Sequence, residues 1–147
     1  MDKEKVIATL NGILELELAG VVRYTHYSMM IFGHARIPII SWMSTQADEG
    51  LAHARRAGDL VTSLGGHPSL KIGKLLETEQ HSIDDILRET LEHEKEGVAL
   101  YEQLHGLVAG KDIRLEEYAR EMIAHESDHI SEVEKMLRKP GELEPAG

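Results

Sequence analysis

The sequence predicts an all-α protein: a bundle of four helices, arranged as two antiparallel hairpins joined by a long crossover. Three observations carry this reading. Four segments of the 147-residue chain repeat apolar residues every three or four positions, and nothing reads as a run of strands. The chain holds 1 Trp, 1 Phe and 4 Tyr, so its core has to come from Leu, Ile, Val, Ala and Met, as in helix bundles. The connections are unequal, short within each hairpin and long in the middle, over about residues 65–81.

The first segment, about residues 3–33, carries the stripe Val6, Leu10, Leu14, Val21 and Tyr24, with Asp2 as its N-cap. The second, about 38–64, carries Ile40, Met43, Ala47, Ala54, Ala57, Val61 and Leu64. Pro38 suits its first turn, and Gly65-Gly66 before His67-Pro68 ends it. The third, about 82–108, opens on Ser82-Ile83-Asp84-Asp85 and carries Ile83, Leu87, Val98, Tyr101 and Leu104, with Gly110 closing it. The fourth, about 112–138, starts at Asp112, carries Leu115, Tyr118, Met122, Ile130, Val133 and Leu137, and stops at Pro140-Gly141. Residues 1–139 thus read as one domain and 140–147 as a short flexible tail. A helix of about 25 residues is about 38 Å long. An extended linker of about 15 residues reaches about 50 Å, enough to cross the full length of the bundle.

Polar residues interrupt each stripe. Glu17 falls on the buried line of the first segment and Glu94 on that of the third. Glu49 with His53, and Glu126 with His129, do the same in the second and fourth. An unpaired buried carboxylate costs several kcal/mol, and four in one small core repel one another. A pair of divalent cations compensates both costs. Glu126-x-x-His129 places both side chains on one face of a helix. A Glu from each of two helices plus a Glu/His pair from each of the other two is how carboxylate bundles hold two iron or manganese ions. Glu49 follows Glu17 by 32 positions, and Glu126 follows Glu94 by 32, as two similar hairpins facing each other require. The competing reading is that each Glu sits at a stripe's edge or pairs with Arg23 or Arg55. Among the other histidines, His26, His34, His67, His81 and His105 read as surface or loop residues. His93 and His125 point about 100° away from their neighbours Glu94 and Glu126, behind the ligands or into solvent.

Composition narrows the function further. With 16 Lys plus Arg against 26 Asp plus Glu, the net charge of −10 argues against a binder of nucleic acid, which would need a basic face. The absence of Cys excludes disulfides, thiolate zinc sites and iron–sulfur clusters. No stretch approaches the roughly 18 apolar residues of a membrane span, and no secretory signal is evident, so a cytoplasmic location is expected.

The sequence resembles the bacterioferritins, within the ferritin-like di-iron carboxylate superfamily, over roughly residues 4–138. The likeness lies in Leu10-Asn11-Gly12-Ile13-Leu14 leading to Glu17, in Tyr24, and in Leu64-Gly65-Gly66-His67-Pro68-Ser69-Leu70. It continues in Glu94 with Gly97 and in Glu126-Ser127-Asp128-His129-Ile130. The resemblance implies a ferroxidase centre of two iron ions per chain, with manganese or zinc as other occupants of the same donor types. Its ligands would be Glu17, His53, Glu94, Glu126 and His129, with Tyr24 close to the irons. Dioxygen or hydrogen peroxide would be the oxidant and the product ferric iron, stored or detoxified.

Three departures from the family pattern stand out. Gly50 occupies the place of the second helix's usual Glu, and the acid is Glu49, which reaches the centre by its long side chain or through a π-bulge between 49 and 53. Leu51 and Ala52 stand where the haem-ligating Met would fall, so no haem is expected. Pro140-Gly141 and Pro145 leave no room for a fifth helix, which points to a homodimer or another homo-oligomer rather than a storage cage. Two rival functions share the bundle: an iron or manganese oxygenase or peroxidase, and a non-catalytic metal-binding bundle.

Overall fold

Three of the four helix starts are set by side chains that the sequence displays. In the computed structural model, which describes residues 1–144, Asp2 accepts from the Lys5 N–H at 3.2 Å. Ser82 accepts from Asp85 N–H at 3.1 Å and Asp112 from Leu115 N–H at 2.9 Å. Each oxygen satisfies one of the free N–H groups of a helical first turn. The helices are α1 (Lys3–Met30), α2 (Arg36–Ser63), α3 (Ile83–Val108) and α4 (Ile113–Leu137). No strand occurs among the described residues, and none of the helices is long and apolar enough to cross a membrane. The all-α bundle is therefore as expected. Residues 145–147 of the expected tail lie outside the described residues.

The first hairpin turns earlier than the periodicity suggests. α1 ends at Met30, Gly33 takes φ +104°, and α2 begins at Arg36, two residues before Pro38. Pro38 is then the third helical residue, where its missing N–H is no loss because first-turn donors have no intrahelical partner. At the other end of α2, Gly65 adopts φ +81° and the Gly66 N–H reaches Val61 C=O at 2.9 Å. This reversed last turn requires a left-handed residue, and glycine supplies it without strain.

The crossover, residues 65–81, is a strap tied down at successive levels of α1. Asn11 donates to His67 C=O at 3.1 Å and accepts from Ser69 N–H at 2.9 Å. Gly73 N–H reaches Glu15 C=O at 2.8 Å, and His26 meets Glu77 at 3.0 Å. The strap also binds α3: Lys74 pairs with Glu96 at 3.0 Å, and Thr78 donates twice to the buried Glu89. The strap thus runs from the start of α1 to its end, which makes α2 and α3 parallel and each hairpin antiparallel.

Two apolar clusters fill the interior. One gathers Val6, Leu10, Ile13, Leu14, Ala57, Val61, Tyr101, Leu104, Leu115 and Met122. The other gathers Tyr24, Tyr27, Ile31, Met43, Ile86, Leu87 and Val133. The interrupting acids lie between them. Backbones approach within 8 Å between α1 and α2, α3 and α4, and α1 and α3, whereas no such approach joins α2 to α4 among the described residues. That fourth seam is bridged by side chains.

Candidate metal centre

Glu17, Glu94 and Glu126 are 6%, 6% and 4% exposed, so three of the four interrupting acids are buried, whereas Glu49, expected on the buried line of the second helix, is only half-buried. Each comes from a different helix, because the polar position recurs at the same depth in α1, α3 and α4. α2 contributes His53, whose Nδ1 lies 3.6 Å from Glu17 Oε2 and 3.6 Å from Glu126 Oε1. α4 contributes His129, with Nδ1 3.9 Å from Glu94 Oε2 and Nε2 3.1 Å from Glu49 Oε2. All six residues expected as ligands therefore converge. Five of the six, all but Glu17, fall with His125 into overlapping groups of donor atoms, Glu49/His125/His129, His53/His125/Glu126 and Glu94/Glu126/His129, each within 4.8 Å.

Glu49 arrives from the flank. α2 is α-helical throughout, with no π-bulge at 49–53, and Glu49 reaches inward by side-chain length to the two α4 histidines. The position aimed straight at the centre is Gly50. A Cβ there would meet Glu17 C=O at 3.4 Å and Glu17 Oε2 at 3.8 Å. His125 is a correction to the sequence reading. Although still partly exposed, it turns to the site: its Nε2 lies 3.5 Å from Glu49 Oε2, and its ring packs 5.0 Å from His53 and 4.4 Å from His129. The wide α2–α4 seam admits it.

The surrounding polar groups orient the carboxylates. Tyr101 donates to Glu17 Oε1 at 2.9 Å, and Tyr24 donates to Glu94 Oε1. Burial, with Glu94 beside it, raises the Tyr24 phenol well above its usual range, so it stays a donor. Burial likewise raises Tyr101. Glu126 is pushed up to about 11, first by burial, then by its hydrogen bond to Glu94 and the charges of Glu94, Glu17 and Glu49. Burial pushes Glu94 in the same direction, yet hydrogen bonds from Glu126 and Tyr24 outweigh it and hold Glu94 below the ordinary carboxylate range. One proton is thus shared, resting on Glu126. His53 is raised despite its burial, because the Glu17 carboxylate 3.6 Å away and two further carboxylates, Glu49 and Glu94, favour its charged form.

No Arg or Lys pairs with Glu17, Glu49, Glu94 or Glu126 among the described residues. Arg23 instead donates to His93 Nδ1 at 3.1 Å. Arginine is always a donor, so His93 carries its proton on Nε2. Burial, aided by Arg23, lowers His93 to about 4 and keeps it neutral. Its Nε2 faces Gly20, where a Cβ would stand only 2.8 Å away. Gly20→Ala should therefore cost about 1–2 kcal/mol in urea denaturation, despite the roughly 1 kcal/mol by which Ala favours a helix.

The donor set fits hard-to-intermediate divalent cations: carboxylate oxygens and imidazole nitrogens, with Glu49 Oε2 and His125 Nε2 left without hydrogen-bond partners. The lining residues leave a space of about 10 Å³. That is room for ions or a water molecule and too little for an organic molecule.

The family description of the ferritin-like domain matches residues 7–141. The chain belongs to the ferritin-like family. The bacterial non-heme ferritin of Escherichia coli O6:H1 is 27% identical over 95 residues, 65% of this chain and 58% of that protein. The Shigella flexneri bacterial non-heme ferritin matches to the same extent. The match thus spans less than two thirds of the length of these curated relatives. Among solved structures, a ferritin-like, diiron-carboxylate protein from Bacillus anthracis str. Ames superposes with a TM-score of 0.88 at 22% identity, covering 94% of this chain and 99% of that one. The dodecameric thioferritin of Bacteroides fragilis, a bacterioferritin-related protein, gives 0.85 at 20% identity over 93% and 86%. The bacterioferritin of Rhodobacter capsulatus gives 0.81 at 23% over 91% and 84%. At these identities the structural matches establish a shared ferritin-like bundle.

Proposed function

We propose that this ferritin-like chain is a ferroxidase: it takes up ferrous iron as substrate and oxidises it to the ferric state with dioxygen or hydrogen peroxide. The observation that carries this reading is the convergence of three buried carboxylates and three histidines with no Arg or Lys paired to them among the described residues. Iron, rather than manganese or zinc, is favoured by the iron proteins among the relatives; the donor types alone serve all three.

Each residue has a role in this reading. Glu17 with His53, and Glu94 with His129, form the two terminal pairs. Glu126 stands between them, bonded to Glu94 and 3.6 Å from His53, as a bridging ligand would. Iron arrival displaces the Glu126 proton to solvent, since the oxygen cannot hold both. Glu49, with His125, receives ions at the α2–α4 seam and completes the second position from the side. Tyr24 and Tyr101 hold Glu94 and Glu17 in place. Each ferrous ion gives up one electron to the oxidant. The small volume of the centre favours this reading over an oxygenase acting on an organic substrate. Exposed Val22, Leu51, Leu70, Ile72 and Leu75, on α1, α2 and the strap, support a homo-oligomer.

Stopped-flow mixing with ferrous iron should give a fast absorbance phase that saturates at about two irons per chain. Glu94→Ala and His129→Ala should each abolish it. A fast phase that survives both substitutions removes the centre from the reaction.

A further inference from the structure

A second group of metal-type donors lies on the strap, away from the centre. His26 comes from α1, whereas Glu77 and His81 come from the crossover. His26 Nε2 is 3.0 Å from Glu77 Oε2, and His81 Nε2 is 3.2 Å from Glu77 Oε1. The three donor groups lie within 4.8 Å of one another. Two imidazoles thus approach one carboxylate, one at each oxygen. Neutral imidazole nitrogen and carboxylate oxygen around zinc sit at about 2.0–2.1 Å, which sets neighbouring ligand atoms about 3.3 Å apart in a tetrahedron. The two imidazole-to-carboxylate spacings are already close to that value, and the two imidazoles lie within 4.8 Å of each other.

The carboxylate is also fixed before any ion arrives. Glu79 takes φ +58°, unusual for a residue with a side chain, and its N–H donates to Glu77 Oε1 at 2.6 Å. That donor, with His26 and His81, holds the Glu77 carboxyl below the usual carboxylate range. A carboxylate held by its own turn loses less freedom on binding than a free surface Glu. The left-handed residue beside it is backbone strain of the kind that clusters at ligand sites.

We propose that His26, Glu77 and His81 form a mononuclear site for a borderline divalent transition metal, of which zinc is the type, with water completing the coordination. The site has no role in iron oxidation. Its ligands come from α1 and from the strap, so the ion staples the crossover to the first helix near the point where α3 begins. Carboxylate plus two imidazoles suits zinc, nickel or copper far better than calcium or magnesium, which prefer oxygen throughout.

Zinc is added to the intact protein while the histidine ring resonances are followed by NMR. The rings of His26 and His81 should shift together and saturate at one ion for the pair. His26→Gln should weaken the response of His81 at least about tenfold, because a three-ligand site reduced to two loses most of its affinity. In parallel, trypsin cleavage at Lys71 and Lys74 should slow with zinc in the wild type and not in His26→Gln. All three ligands are at least partly exposed, so the substitution leaves the bundle folded. His53 and His129 report the centre separately, so failure at the strap and failure of the ferroxidase reading are distinguishable. If zinc moves His53 and His129 but leaves His26 and His81 in place, or if His81 responds equally in His26→Gln, the trio is a hydrogen-bonded cluster and the proposal fails.

Discussion

Glu126→Gln is expected to raise the melting temperature of the metal-free protein while abolishing the rapid iron oxidation proposed for it. Glu126 is pushed up to about 11 by burial and by the neighbouring carboxylates, Glu94 first. Its carboxyl therefore keeps a proton in the folded chain that the unfolded chain releases above about pH 4.3. The sign follows. A group raised on folding gives its full stability below the unfolded value and loses it as pH rises towards the folded one. At neutral pH the acid is a liability. Glutamine has the same shape, carries no charge and still donates to Glu94. The gain should be about 1–3 kcal/mol, or roughly 3–10 °C in Tm, near pH 8, and should shrink towards pH 4.5. Calorimetry across that range tests it. The variant should also lose the fast iron phase by at least about a hundredfold, since the oxygen pair proposed to hold the two ions together is gone. A Tm below wild type at pH 8, or an intact fast phase, would refute the role given to Glu126.

Gly50→Glu should have the opposite profile. The new side chain starts 3.8 Å from Glu17 Oε2 and enters a centre that already buries three acids. The helix gains about 0.8 kcal/mol on losing a glycine, which is outweighed by the several kcal/mol of a further buried carboxyl. A net loss of about 2–3 kcal/mol is expected at pH 8, and less towards pH 4, where the added group is protonated in the unfolded chain as well. Zinc or manganese should then raise Tm more in the variant than in the wild type, because the extra acid is an extra ligand. Gly50→Ala isolates the backbone effect: it adds only contacts of 3.4 Å and longer and should stabilise by about 0.5–1 kcal/mol. If Gly50→Glu is as stable as wild type without metal, the crowding assigned to this position is absent.

Much of this architecture is legible in the chain. Asp2, Ser82 and Asp112 cap the helices where they were expected, since a cap is a local device. Glu17, Glu94 and Glu126 are visible because a buried acid breaks a 3.6-residue pattern that depends only on its own helix. What escapes the sequence depends on how helices sit against each other. His125 lies about 100° from Glu126 and joins the site only because α2 and α4 stand apart. Tyr101 reads as an ordinary stripe residue, yet its hydroxyl holds Glu17, 84 positions away. Glu89 and Thr78 reveal nothing until the strap folds back on α3. Arg23, a candidate partner for an acid, is turned to His93 by the geometry of the α1–α3 contact.

The unequal seams give the bundle a spine and a fore-edge. Along α1 and α3 the backbones close on each other, like the bound side of a book. Along α2 and α4 the two covers are held by reaching side chains: Glu49 to His125 and His129, His53 to Glu126, and Arg56 to Glu121 at 2.8 Å. All but the last of these belong to the candidate centre. Cations there would act as a clasp on the one edge the backbone leaves open, so the atoms proposed to bind metal would also decide how firmly the volume stays shut.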